Sequence, residues 1–200
     1  MILATNNKGK LQEIKEIMQE YEIYSLKDKN IFIDVSEDEN TFYGNALKKA
    51  KEIYQISGEP VIADDSGLCI KALNDFPGVL THRFLGDNAE DAERNQDLIN
   101  RVNKVSDRSA QVVCVLVYYD GQNTLIGEGI LNGKIAHEPR GNNGFGFDPI
   151  FELENGQTLA EISPEEKNKL SARSLAAIEL SNKIRTLHHK TLHLTKNSHQ

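Results

Sequence analysis

Apolar residues recur along this chain in two alternating rhythms. Residues 1–5 open on an apolar run that reads as a short buried strand. Leu11, Ile14, Ile17, Met18 and Tyr21 then fall on one stripe, predicting a helix over 10–21. Ala46, Leu47, Ala50, Ile53 and Tyr54 repeat that spacing and predict a second helix over 41–57. PVIADDSGLCI, residues 60–70, reads as a strand, a sharp interruption and a second strand. Asn88 is placed to cap a helix bearing Ala92, Leu98, Ile99 and Val102. AQVVCVLVYY, residues 110–119, is the strongest strand, and DGQN turns it into TLIGEGIL as a hairpin. Ser163-Pro164-Glu165-Glu166 is a helix start, with Ser163 as cap, proline in the first turn and Glu166 completing a capping box. Ser171 is placed to start a final helix.

This order of elements predicts an α/β fold around a mixed sheet. No internal repeat or long linker interrupts it. The pattern fades in HHKTLHLTKNSHQ, so a single domain is expected over 1–187, with a frayed tail at 188–200.

Two hundred residues suffice for a substantial core. The 23 basic residues face 30 acidic ones, net −7, which argues against a nucleic-acid surface. A small anionic substrate remains open, because a few local lysines and a metal ion outweigh the global field. No apolar stretch approaches the roughly 20 residues needed to span a bilayer. Lys8 and Lys10 follow the first apolar residues with no long apolar region after them, unlike a signal peptide. Cys69 and Cys114 lie in apolar runs and read as buried thiols, so the cytoplasm is the expected compartment.

Four stretches carry candidate chemistry. TNNKGK, residues 5–10, leads from a strand into a helix. The exposed N–H groups of a helix start favour phosphate, Gly9 permits close approach, and Lys8 and Lys10 add charge. An ordinary strand–helix turn with solvated lysines is the competing reading. In ADDSGL, residues 63–68, adjacent aspartates on a strand point to opposite faces, so one can enter a site. Carboxylates near a phosphate-binding turn suit magnesium, although an Asp-rich turn explains them too. SEDEN, residues 36–40, supplies further acid before a helix, where the dipole alone would favour it. In GNNGFGFDPIF, residues 141–151, Phe145 or Phe147 could stack on a base and Asp148 bond its edge, or the phenylalanines could simply pack the loop.

Together these stretches resemble the inosine/xanthosine triphosphate pyrophosphatase family, the Ham1-type enzymes, across nearly the whole chain. The resemblance rests on TNNKGK (5–10), TFYGNALKKA (41–50), ADDSGLCIKAL (63–73), FPGV (76–79), GFGFDPIF (144–151) and EEKNKLSAR (165–173), in the family's order. It implies hydrolysis of non-standard purine nucleoside triphosphates (ITP, dITP, XTP) to the monophosphate and pyrophosphate. It further implies magnesium, a homodimer, and a substrate cleft between two lobes of an elongated mixed sheet flanked by helices. Carried over by position, Thr5, Asn6, Asn7, Lys8, Gly9 and Lys10 would hold the triphosphate. Asp65 would be the catalytic carboxylate and a magnesium ligand, with Ser66 beside the substrate. Glu37 would be a second acid near the metal, with Glu39 close enough to compete for that role. Phe145, Gly146, Phe147 and Asp148 would line the base pocket, and Lys167 and Arg173 would bind phosphate or base.

The chain departs from the family at three positions. Ser171-Ala172-Arg173 stands where the family usually reads Ser-His-Arg. His82, in THRF, falls where a small residue is commoner, and Gly44 where an acid is common. These departures keep two alternatives in view: a metal-dependent phosphohydrolase of other nucleotides, and a nucleotide-binding protein with reduced turnover.

Overall fold

A computed structural model describes the backbone of residues 1–197 and the side chains of residues 1–190. Seven strands form one mixed sheet: β1 (Ile2–Leu3), β2 (Tyr24–Ser25), β3 (Val61–Ile70), β4 (Phe76–Pro77), β5 (Ser109–Tyr119), β6 (Thr124–Ile135) and β7 (Phe151–Glu152). Their order is β2-β1-β3-β5-β6-β7, with β4 also paired to β3. β2, β1 and β3 run parallel, and the other pairings are antiparallel. The helices are α1 (Lys8–Ile17), α2 (Phe42–Ser57), α3 (Asp91–Val102), α4 (Pro164–Leu170) and α5 (Ala172–Asn197). The expected α/β class and mixed sheet are therefore observed.

Alternation along the central strands sets the two sides of the sheet. Val61 and Ala63 join Ile2, Val115 and Val117 beneath Ala46, Ala50 and Ile53 of α2. Ile62, Leu68 and Ile70 join Leu3, Cys114 and Leu116 on the opposite face, against Ile14 of α1 and Ala176, Leu180 and Ile184 of α5. Ile62, Leu68 and Ile70 are fully buried, and each such side chain contributes on the order of 2 kcal/mol by leaving water.

The predicted interruption within 60–70 does not occur. β3 pairs with β5 in unbroken register from Val61↔Tyr119 to Ile70↔Ala110. Asp64 and Asp65 stay in the ladder because each finds polar partners on its own face of the sheet. Gly67 stays because a β-carbon there would meet the Gly78 carbonyl at 2.3 Å. α3 is capped by Glu90, not Asn88: the Glu93 carboxylate accepts the Glu90 N–H at 2.7 Å, while Asn88 is exposed. α1 starts earlier than predicted, at Lys8, because the Asn7 side chain accepts the Lys10 N–H at 3.1 Å, and it ends at Ile17.

Local signals elsewhere place the elements well. Thr41 caps α2, and Ser163 and Glu166 form the expected capping box of α4. α5 begins directly after Ser171 and continues through Asn197, past the expected boundary at 187; the last three residues of the expected tail lie outside the described residues. Both cysteines are free, Cys114 buried and Cys69 half-buried.

Candidate active site

β1 is only two residues long, so β3 runs on past it and exposes its middle to the turn that follows. That turn is TNNKGK. A cavity of about 200 Å³ opens there, lined by Thr5, Asn6, Asn7, Lys10, Glu37 and Lys49, among others. The Thr5 hydroxyl accepts the Asn7 N–H at 3.1 Å, which shapes the turn ahead of the α1 N-terminus. Lys8 is exposed and Gly9 half-buried, and neither belongs to the cavity wall.

The two aspartates of β3 face opposite ways, as their spacing predicts. Asp64 Oδ2 lies 2.9 Å from Lys10 Nζ and 3.7 Å from Arg173 Nη2. Burial opposes its charge, but Lys10, Lys49 and Arg173 outweigh that and hold its carboxyl well below the usual carboxylate range. Asp65 turns toward α2. Its Oδ2 accepts from Asn45 Nδ2 at 2.8 Å, and its Oδ1 accepts the Ser66 N–H at 2.9 Å. Burial, then the nearby Glu37 carboxylate, push Asp65 up to about 6. Glu37 Oε1 lies 2.6 Å from Lys49 Nζ. Glu39 instead stays exposed and gives only its backbone N–H to Asn45, at 3.0 Å.

Asp65 and Glu37 thus bring two carboxylates, hard oxygen donors, near each other, with Lys49 paired to Glu37. That donor set fits magnesium, which takes one or two protein carboxylates plus water and phosphate oxygens. Among the described residues, no group of three or more His, Cys, Asp or Glu side chains converges as a metal cage.

A second, tighter cavity of about 30 Å³ lies on the α5 side of the sheet. Its wall includes Ser66, Phe145, Gly146, Phe147, Asp148, Lys167, Ala172 and Arg173. The Asp148 carboxylate folds the loop onto itself by accepting the Phe145 N–H at 3.0 Å and Lys167 Nζ at 2.6 Å. Burial raises its pKa against the pull of Lys167. The loop is also tied to α3, because Asn95 Nδ2 donates to the Gly146 carbonyl at 2.9 Å. Lys167 Nζ and the Arg173 guanidinium lie 4.6 and 5.7 Å from the centre of the Phe145 ring. Glu13 of α1 pairs with both cations, at 2.7 Å from Lys167 and in close contact with Arg173. Arg173 Nη2 also donates to Ser66 Oγ at 3.1 Å.

Most residues named from the sequence therefore converge on two neighbouring cavities. Lys8 and Gly9 line neither, and Asp65 lies buried outside both walls. Three residues escaped notice in the sequence. Asn45 and Lys49 sit four apart on α2, where polar positions beside an apolar stripe read as a solvated face; both are buried. Glu13 reads as one more surface acid of α1 until the fold brings α4 and α5 to it.

Two ion-paired lysines beside a helix N-terminus at one end, and an aromatic slot at the other, mark the site of this α/β protein. The chain belongs to the Ham1 family, whose model matches residues 1–183. The dITP/XTP pyrophosphatase of Coxiella burnetii is 43% identical over 188 residues, spanning 90% of this chain and 94% of that protein. The dITP/XTP pyrophosphatase of Aquifex aeolicus is 40% identical over 190 residues, spanning 90% and 94%. Among solved structures, the HAM1 protein from Coxiella burnetii matches with a TM-score of 0.85 at 40% identity, over 92% of this chain and 98% of that one. The Staphylococcus aureus Ham1 protein matches with a TM-score of 0.84 at 35% identity, over 92% and 97%.

Proposed function

We propose that this protein is a magnesium-dependent hydrolase of dITP, ITP and XTP that releases the nucleoside monophosphate and pyrophosphate. The observation that carries this reading is the pairing of two unlike cavities in a Ham1-family fold. Lys10, Lys49 and the α1 N-terminus suit a triphosphate, and Phe145 with its two cations suits a purine once the slot, about 30 Å³ in the free protein, widens to admit it.

Water attacks the α-phosphorus, the bond to the bridging oxygen breaks, and pyrophosphate leaves. Asp65 would be the catalytic carboxylate, ligating magnesium or orienting the attacking water. Asn45 and the Ser66 N–H hold that carboxylate in one orientation. Asp65 and Glu37 would hold the magnesium ion, which when bound neutralises charge on the phosphoryl oxygens. Lys10 and Lys49 would direct their ammonium groups at the triphosphate charge.

Selectivity against adenine follows from the second cavity. Lys167 and Arg173 can only donate hydrogen bonds. Every 6-oxo purine, guanine included, offers them an acceptor at that position, whereas adenine offers an amino donor and leaves buried groups mismatched. The same reading makes the protein a cytoplasmic homodimer acting on free nucleotides rather than nucleic acid, which its net charge of −7 supports. No helix among the described residues is long and apolar enough to cross a membrane.

A panel of dITP, ITP, XTP, dATP and dGTP, assayed separately for pyrophosphate and phosphate, tests the proposal. Pyrophosphate should appear from the first three, only with magnesium and not with a chelator. Phosphate release, or comparable turnover of dATP, would instead indicate a broader phosphohydrolase. Tight nucleotide binding without turnover would indicate a binding protein.

A further inference from the structure

One polar atom of this cavity system has no role in the account so far. His82 follows the short turn Gly78–Leu80, and its side chain is half-buried with Nε2 enclosed. Nε2 makes no hydrogen bond with any described residue. Among the described residues, His82 is also the one residue common to the walls of both cavities. It stands at the junction between the space lined by Lys10 and Lys49 and the aromatic slot.

The backbone around it is fixed. Thr81 Oγ1 donates to the Gly78 carbonyl at 2.6 Å and accepts the Leu68 N–H at 2.9 Å, which staples the segment to β3. Gly67 lets the Gly78 carbonyl approach the strand. Burial, with Lys10 nearby, lowers the imidazole pKa to about 4, so the ring is neutral at physiological pH. A neutral imidazole offers one donor and one acceptor without adding charge beside Lys10 and Arg173. Leaving a buried ring nitrogen without a partner is unfavourable in the free protein, and a ligand atom that satisfies it gains accordingly.

We propose that His82 is a substrate-binding residue whose Nε2 hydrogen-bonds the middle of a bound nucleoside triphosphate, where the sugar joins the first phosphate. This rests on the reading that the two cavities take the phosphates and the base of one nucleotide. A molecule spanning both must pass its sugar and α-phosphate by the residue they share.

Two measurements test the assignment. In the parent protein, the ¹⁵N resonance of His82 Nε2, identified by its absence in His82→Ala, should shift on adding a non-hydrolysable purine triphosphate analogue. In steady-state kinetics, His82→Ala should raise KM for dITP about tenfold and change kcat less, the loss expected for one hydrogen bond. His82→Asn, which keeps a polar group, should recover part of that loss. The spectrum of the parent needs no folded variant, so a misfolded His82→Ala leaves the test intact, with His82→Asn then supplying the resonance assignment. An active parent with an unmoved Nε2 resonance, or variants with KM within twofold of the parent, overturns the role of His82. A parent that binds the analogue and moves Nε2 but releases no pyrophosphate leaves His82 in place and overturns the catalytic reading instead.

Discussion

The backbone of Gly9 lies against the ring of Phe145, so that a β-carbon at position 9 would fall 2.6 Å from two ring carbons. The glycine of the TNNKGK turn thus makes room for the aromatic wall of the second cavity, and the turn and the Phe145 loop share a contact. Gly9→Ala should displace the ring from beneath Lys167 and Arg173. Alanine in a helix is ordinarily favoured over glycine by up to about 1 kcal/mol, so an effect of the opposite sign would identify the clash. KM for dITP should rise several-fold while the melting temperature stays level or falls. A stabilised variant with unchanged KM would show that the ring gives way freely.

Asp64 and Asp65 should separate stability from turnover. Lys10 has no ion-pair partner other than Asp64 among the described residues. Removing one member of a buried pair costs on the order of 3 kcal/mol, so Asp64→Asn should lower the denaturation midpoint clearly. Asp65→Asn removes a strained charge beside Glu37 and should keep the fold while nearly abolishing pyrophosphate release. Chemical denaturation and steady-state assays on both variants check this; the reverse pattern would exchange the two roles.

Ala172 and His82 line the same cavity, so changes at the two positions should couple. Ala172→His offers an imidazole from the α5 wall. His82→Ala should cost far more in the parent than in the Ala172→His background, as kcat/KM for dITP would show in a double-mutant cycle. Strictly additive effects would mean that the two side chains serve separate tasks.

The β5–β6 turn makes a pH-dependent contribution to stability. Burial works against the Asp120 charge, but hydrogen bonds from Asn123 and Gln122 outweigh it and hold the carboxyl below its ordinary value. A carboxylate lowered on folding stabilises above its unfolded pKa, and that contribution is lost as pH falls through the folded value. Asp120→Asn should therefore melt below the parent at neutral pH, and the gap should close in strong acid. A gap independent of pH would assign the effect to turn geometry alone.

What could be read from the sequence was local. Thr41, Ser163 and Glu166 announce helix starts because caps act within one turn of chain. The β-branched run at 110–119 announces a strand. The misreadings at 60–70 and Asn88 have a common cause. Asp64 and Asp65 look like a break until Lys10 and Asn45 are brought to them, and Asn88 looks like a cap until Glu93 closes on Glu90. The motifs located both cavities, but Glu13, Asn45 and Lys49 gain their meaning only through residues distant in sequence.

Glu13, clasping Lys167 and Arg173 at once, also fastens the first helix to the last two. Separating buried charges that compensate one another is costly, so α1 cannot part from α4 and α5 without leaving an acid and two bases stranded. One carboxylate thus acts as a buckle that closes the two ends of the fold on each other.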